Sequence, residues 1–243
     1  MSGHSHAKKI KHQKAITDQK RGQIFSKMSR VISVAVKEGG SNPESNPKLG
    51  VAMEMAKRLN LPKENIERAI RRGTGEEAAN EKLEEVSFEA FGPEGIAIII
   101  EGITDNKNRT LGEIKQILNQ NNGKLVGEGA VRWLFEKRGV IIMNLDSQAP
   151  KTKEELELTV IEAGAEDVRW YDNDLEVYTK PEDLEKTKKK LEEKGIKIES
   201  TSLDWVAKEE VSLNEDKKES CQKLFEDLDE NDSVQDVYSN LKS

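Results

Sequence analysis

Apolar residues in the early part of the chain recur at spacings of three and four, the signature of helices that bury one face. From Ala15 onward, Ile24, Met28, Val31 and Ala35, with Phe25 and Ile32 beside them, predict a helix that Gly39 and Gly40 end. Asn46 followed by Pro47 matches an N-cap with proline in the first turn, and Leu49, Ala52, Met53, Ala56 and Leu59 form the stripe of a second helix. Leu61-Pro62 forces a tight break, because the residue before proline is pushed out of helical geometry. A third helix then runs to Gly73, with Ile66, Ala69 and Ile70 inward and Lys63, Glu67, Arg68, Arg71 and Arg72 outward. Met1 to Gln13 has no apolar period and reads as a mobile arm.

Beyond a Gly, Glu and Ala linker at Thr74 to Glu81 the pattern changes to strands alternating with helices. Val86, Phe88 and Ala90 alternate, Gly92-Pro93-Glu94-Gly95 turns the chain, and Ile96 to Ile100 reads as a buried strand. Thr110 with Glu113 predicts a capping box for a helix carrying Leu111, Ile114, Ile117 and Leu118, closed by Asn122-Gly123. Leu125-Val126 and Val131 to Phe135 read as strands. From Val140 to Leu203 the order is strand (Val140 to Met143), helix (Thr152 to Ala163), strand (Val168 to Tyr171), strand (Leu175 to Thr179), helix (Pro181 to Lys194) and strand (Ile196 to Ser200). This is the β-α-β-β-α-β order of a ferredoxin-like sandwich. A last helix carries Cys221, Leu224, Phe225 and Leu228. The expected fold is α+β and multidomain: a three-helix domain with its arm over 1–81, followed by two ferredoxin-like α/β sandwiches, one discontinuous over 82–138 plus 204–243 and the other inserted in it over 139–203.

Charge sharpens this division. The net charge of -7 hides a basic segment, residues 1–75, with 16 Lys+Arg against 6 Asp+Glu, a net of +10; the rest carries 23 against 40, a net of -17. Residues 1–37 hold nine Lys/Arg and one acid, Asp18, so these cations cannot neutralise one another through pairs along a helix. An uncompensated basic segment is the footprint of a polyanion-binding surface, although a solvated tail has the same composition. No apolar run is long enough to span a bilayer, and the N-terminus opens on polar and basic residues. A single cysteine, Cys221, excludes an internal disulfide or a thiolate cluster, and a soluble cytoplasmic protein is expected.

Catalytic chemistry finds little support. All three histidines, His4, His6 and His12, lie in the arm, which leaves the acidic part without a histidine base for a nucleophile; two ligands on a tail also fall short of a metal site. Carboxylate pairs such as Glu84-Glu85 and Glu154-Glu155 suit a solvated face in so acidic a chain. Gly127-Glu128-Gly129 lacks the spacing and the following Lys-Ser/Thr of a phosphate loop and suits a turn or bulge. No catalytic residue, metal or cofactor is expected. Phe25 is the only aromatic before Phe88 and belongs to the core, so base stacking within the basic segment is disfavoured. The second and third helices, joined at Asn60-Leu61-Pro62, could mimic a helix-turn-helix with Lys63, Glu67, Arg68 and Arg71 exposed; Arg71 and Arg72 equally suit a helix C-terminus. The candidate nucleic-acid contacts are therefore Lys8, Lys9, Lys11, His12, Lys14, Lys20, Arg21, Lys27, Arg30, Lys63, Arg68, Arg71 and Arg72.

Several segments carry a family resemblance: Gly3-His4-Ser5, Ile10-Lys11-His12, Lys20-Arg21-Gly22, Glu38-Gly39-Gly40, the run Leu61 to Ile70, Gly73-Thr74-Gly75, Thr104-Asp105-Asn106, Asn108-Arg109-Thr110, Phe135-Glu136-Lys137 and Asp236-Val237-Tyr238. The chain resembles the YebC/PmpR family of probable transcriptional regulators, which includes the mitochondrial translational activator of cytochrome oxidase. It departs from the usual pattern at Ala7, where tryptophan is frequent, and at Ala130, where serine is common. The resemblance implies three domains, no enzymatic activity, and one of two roles: a DNA-binding transcriptional regulator, or a translation factor contacting ribosomal or transfer RNA. A third expectation is an adaptor whose acidic domains dock basic protein partners. Partners would be duplex DNA or RNA, with the transcription machinery or the ribosome, and no membrane; oligomeric state is not legible.

Overall fold

In a computed structural model, which describes residues 18–76, 83–148 and 151–242, the described residues open with three helices: α1 (Asp18–Gly39), α2 (Pro47–Arg58) and α3 (Lys63–Thr74). The expected helical start at Ala15 lies outside the described residues. Both α2 and α3 pack on α1, and Met28, Ile32, Ala35, Leu49, Ala52, Ala56, Leu61, Ile66 and Ala69 close one apolar cluster. Asn46 caps α2 by accepting from the Leu49 N–H at 3.1 Å, and its amide also donates to the carbonyls of Ala35 at 2.7 Å and Gly40 at 2.8 Å. The third helix passes Gly73 and ends one residue later, where Gly75 takes the left-handed cap at φ 78°. Gly73 serves packing instead: a Cβ there would lie 2.6 Å from both the Ser33 carbonyl and Val36 Cβ, so glycine lets α3 close onto α1. Beside it, Ser33 Oγ donates to the Ala69 carbonyl at 2.8 Å.

The remaining elements are β1 (Glu84–Phe91), β2 (Ala97–Thr104), α4 (Lys107–Gln120), β3 (Lys124–Val126), β4 (Phe135–Asn144), α5 (Lys153–Ala163), β5 (Asp167–Tyr171), β6 (Asp174–Thr179), α6 (Leu184–Glu193), β7 (Ser200–Ala207), α7 (Glu215–Asp229) and β8 (Val234–Ser239). They build two four-stranded antiparallel sheets, ordered β3-β1-β2-β8 and β5-β6-β4-β7. The α+β architecture expected from the sequence is the one found. In the first sandwich Val86, Phe88, Ala90, Ile98 and Ile100 meet α4 and α7 through Ile114, Leu118, Leu224, Phe225 and Leu228. In the second, Ile141, Met143 and Val177 meet α5 and α6 through Leu156, Val160 and Leu191. The opposite face of the first sheet, Ala97, Ile99 and Tyr238, packs with Val131, Phe135 and Ala207. Burial on both faces explains why Ile96 to Ile100 is an unbroken apolar run.

Three local expectations are corrected, and the sheet pairing bears on the division into domains. The helix after β2 starts at Lys107, capped by Asn106, whose side chain accepts from the Arg109 N–H at 3.1 Å; Thr110 is a buried first-turn residue donating to Thr104 Oγ1 at 2.8 Å. Val131 to Leu134 is no strand, and only Phe135 of the expected segment joins one, as the start of β4: Arg132–Leu134 is a 3-10 turn, because the Glu89 carboxylate takes the Val131 and Arg132 N–H groups that a ladder would need. Ile196 to Glu199 is outside the strands, since Ile196 closes the end of α6 by donating its N–H to the Leu191 carbonyl at 3.0 Å. Finally, β4 and β7 pair continuously from Phe135 opposite Ala207 to Ile142 opposite Ser200, so domain boundaries at 138/139 and 203/204 would cut through both strands. By sheet membership we propose units of 83–134 joined with 208–242, and 135–207.

Candidate nucleic-acid interface

α1 is buried from two sides. Its apolar face enters the helical core, while Gln23, Lys27, Arg30 and Val34, spaced as a second helical stripe, face the first sandwich. Gln23 donates to the Glu230 carbonyl at 2.5 Å. Lys27, only 4% exposed, donates to the Asp229 carbonyl at 2.5 Å and to its carboxylate at 3.2 Å. Arg30 donates to the Asp232 carbonyl at 2.8 Å and the Ile103 carbonyl at 3.4 Å. Except for Ile103 of β2, these acceptors sit at the C-terminus of α7 and just beyond it, where helix-end carbonyls favour cations. Val34 packs with Leu83 and Ile103 beneath this contact, and Lys37 donates to the Leu83 carbonyl at 2.9 Å. Further contacts come from α2: Arg58 donates to the Glu199 carbonyl, and Glu54 pairs with Lys188 at 3.6 Å, both on the second sandwich.

The candidate cations therefore separate into groups. Lys8, Lys9, Lys11, His12 and Lys14 lie outside the described residues. Lys27, which is buried, and Arg30, which is half-buried, dock α1 on the first sandwich through Lys27 Nζ and Arg30 Nη1. Lys20, Arg21, Arg68 and Arg71 are exposed, Arg72 is half-buried, and Lys63 is exposed but pairs with Glu67 at 3.5 Å. Arg58 and Lys37 were absent from the candidates, and both are bonded to carbonyls of the sandwiches. Gln23, Lys27, Arg30 and Lys37 share one stripe along α1, opposite its apolar face, a pattern that a solvated face shows equally. As for a helix-turn-helix, α3 lies against α1, with Asn60 turning the chain at φ 54°.

Two further polar constructions lie in the sandwiches. The buried carboxylate of Glu89 accepts from the N–H groups of Gly129 and Val131, both at 2.8 Å, and Arg132 at 3.0 Å, and pairs with Arg132 Nε at 3.3 Å. Burial alone would raise its pKa, but the three N–H donors and Arg132 outweigh that and hold it below the ordinary carboxylate value. Gly127-Glu128-Gly129 is thus a turn braced by a buried acid. Between the sheets, Tyr178 donates to Glu176 at 2.6 Å and Arg169 to Glu210 at 2.9 Å around a cavity of about 50 Å³. Burial first, then the neighbouring Glu176, push the Tyr178 phenol upward. So small a space, ringed by groups already bonded, is a polar seam between the sandwiches. Among the described residues no His, Cys, Asp and Glu cluster suits a metal ion, and no helix is long and apolar enough to cross a membrane.

The molecule is an α+β protein in which a basic helical module is bolted through α1 and α2 onto two acidic antiparallel sandwiches. The chain belongs to the TACO1/YebC family. Residues 5–76 match the TACO1/YebC protein N-terminal domain and residues 83–241 the TACO1/YebC second and third domain. It is similar to a protein of Halothermothrix orenii at 46% identity, over 99% of this chain and 95% of that one. A protein of Caldanaerobacter subterraneus subsp. tengcongensis is 44% identical over 100% of this chain and 98% of its own. Both are named "Probable transcriptional regulatory protein". A crystal structure of a conserved hypothetical protein from Aquifex aeolicus superposes with a TM-score of 0.85 at 41% identity, over 96% of this chain and 95% of that one.

Proposed function

We propose that this protein is a non-enzymatic cytoplasmic regulator of gene expression that binds duplex DNA through its helical domain. The observation that carries the reading is the division of labour among the cations of that domain. Lys27 and Arg30 hold α1 on the acidic sandwiches, whereas Lys20, Arg21, Arg68 and Arg71 stay exposed on a segment of net charge +10. Such a surface gains sequence-independent affinity by releasing counterions from phosphates. The names of the curated relatives favour transcription. The competing reading, a translation factor on ribosomal or transfer RNA, uses the same cations, because a phosphate backbone carries no sequence information.

The test compares the full chain with Arg68→Ala, Arg71→Ala and Arg72→Ala on one panel of duplex DNA, ribosomal RNA fragments and tRNA at fixed salt. If α3 reads a major groove, one replacement should relax a DNA sequence preference by about 1 to 3 kcal/mol. Weaker RNA binding with no change among DNA sequences would move the assignment to RNA. Wild-type binding by all three variants would return these arginines to a role at the end of α3.

A further inference from the structure

All eleven aromatic side chains lie among the described residues, and Trp133 alone of them is exposed, at 65%. It stands in the 3-10 turn Arg132–Leu134, on the loop that buried Glu89 braces through three backbone N–H groups. The indole N–H donates to the Ala130 carbonyl at 3.1 Å, so the polar edge of the ring is already satisfied and what it offers to solvent is its aromatic face. The Lys208 ammonium is held beside it, donating to the carbonyl of Trp133 itself at 2.9 Å, while the Lys208 N–H donates to the Leu134 carbonyl at 3.0 Å. An exposed ring costs solubility and here closes no core, yet it is rigidly mounted with a cation attached.

We propose that Trp133 is a stacking platform for one unpaired nucleotide base, with Lys208 placed for the adjoining phosphate. The proposal rests on the reading that the chain binds nucleic acid and adds a second contact, remote in sequence from the basic segment and selective for unpaired bases. Glu128 and Glu209 are exposed on the same two stretches, which leaves the loop little net charge. Its affinity therefore comes from stacking, which tolerates any base, with little contribution from a phosphate field. The identity of the strand, RNA or DNA, is left to the arms of the experiment.

The full chain would be titrated with oligouridylate, oligothymidylate, an abasic oligodeoxynucleotide of the same length, and duplex DNA, over a series of salt concentrations. Wild type should bind at least one base-bearing single strand about tenfold tighter than the abasic strand. Trp133→Ala should erase that preference without changing the salt slope, and Trp133→Phe should keep most of it. A tighter uridylate complex assigns the platform to RNA, and equal affinities to either strand. The proposal is overturned if Trp133→Ala, with an unchanged melting temperature, still prefers bases as wild type does, or if wild type binds duplex but shows no such preference. In both outcomes the duplex arm leaves the broader reading standing. Absence of wild-type binding to every ligand would overturn both.

Discussion

Asn46 and Glu89 are buried polar side chains that each tie together three backbone groups. Asn46 is 3% exposed and links the end of α1 to the start of α2 through three hydrogen bonds. Gly39 lies so close that a Cβ there would be 2.6 Å from the Asn46 amide, so the two positions are fixed together. Asn46→Ala removes a cap and leaves the Ala35 carbonyl without this donor, and should destabilise the protein by about 2 kcal/mol in denaturant unfolding. Glu89 acts through its charge. Its folded pKa is held below the unfolded value, so its contribution is present above the unfolded carboxylate pKa and is lost as pH falls through the folded one. Glu89→Gln should therefore cost about 2 kcal/mol near neutral pH. That difference from wild type should shrink as the pH drops below about 4. A difference that stays constant from neutral to acid would mean that the carboxylate charge does not hold the loop.

Among the elements, α1 shows best what sequence patterning can and cannot say. The spacing of Met28, Ile32 and Ala35 announces a helix and its core face, because helix periodicity is a local property. The second buried face is polar by composition, and nothing local distinguishes a lysine that will meet a helix C-terminus from one that will meet solvent. Lys27 was legible as a cation but not as an anchor, since its partner Asp229 is distant in sequence. The same limit explains the loop before β4: Val131 to Leu134 has strand composition, but Glu89 on β1 removes the Val131 and Arg132 N–H groups from any ladder. The β-α-β-β-α-β order was legible because each element carries a local pattern of its own, reinforced in α5 by the capping box of Thr152 and Glu155. The strand ends were not, because β4 and β7 lengthen one another by pairing. Lys27→Ala should lower stability by about 2 kcal/mol, through lost bonds to Asp229 and an unfilled space beneath α1. Amide exchange should rise in α1 and the last turn of α7 while the second sandwich stays protected. Uniform loss of protection would show that α1 does not dock as a separable element.

At the scale of the whole molecule, opposite charges on one chain attract each other as well as external partners. The acidic sandwiches already consume part of the basic field: Lys27 meets Asp229, and Lys48 meets Glu85 at 3.1 Å. Binding of a polyanion should then depend on the cations left over, not on the total of +10. Two sets of substitutions separate these populations. Replacing Lys8, Lys9, Lys11 and Lys14 together by alanine should weaken binding to every nucleic acid and flatten the dependence of log K on log salt, by up to about 0.9 for each lysine that meets a phosphate of duplex DNA. Replacing Lys27 should lower stability but leave that slope as in wild type, because its ammonium is enclosed by Asp229 before any ligand arrives. Affinities measured across a salt series for both variants and wild type decide the matter. An unchanged slope in the arm variant would mean that the arm lysines touch no phosphate, and a flattened slope in Lys27→Ala would mean that α1 leaves the sandwich to bind.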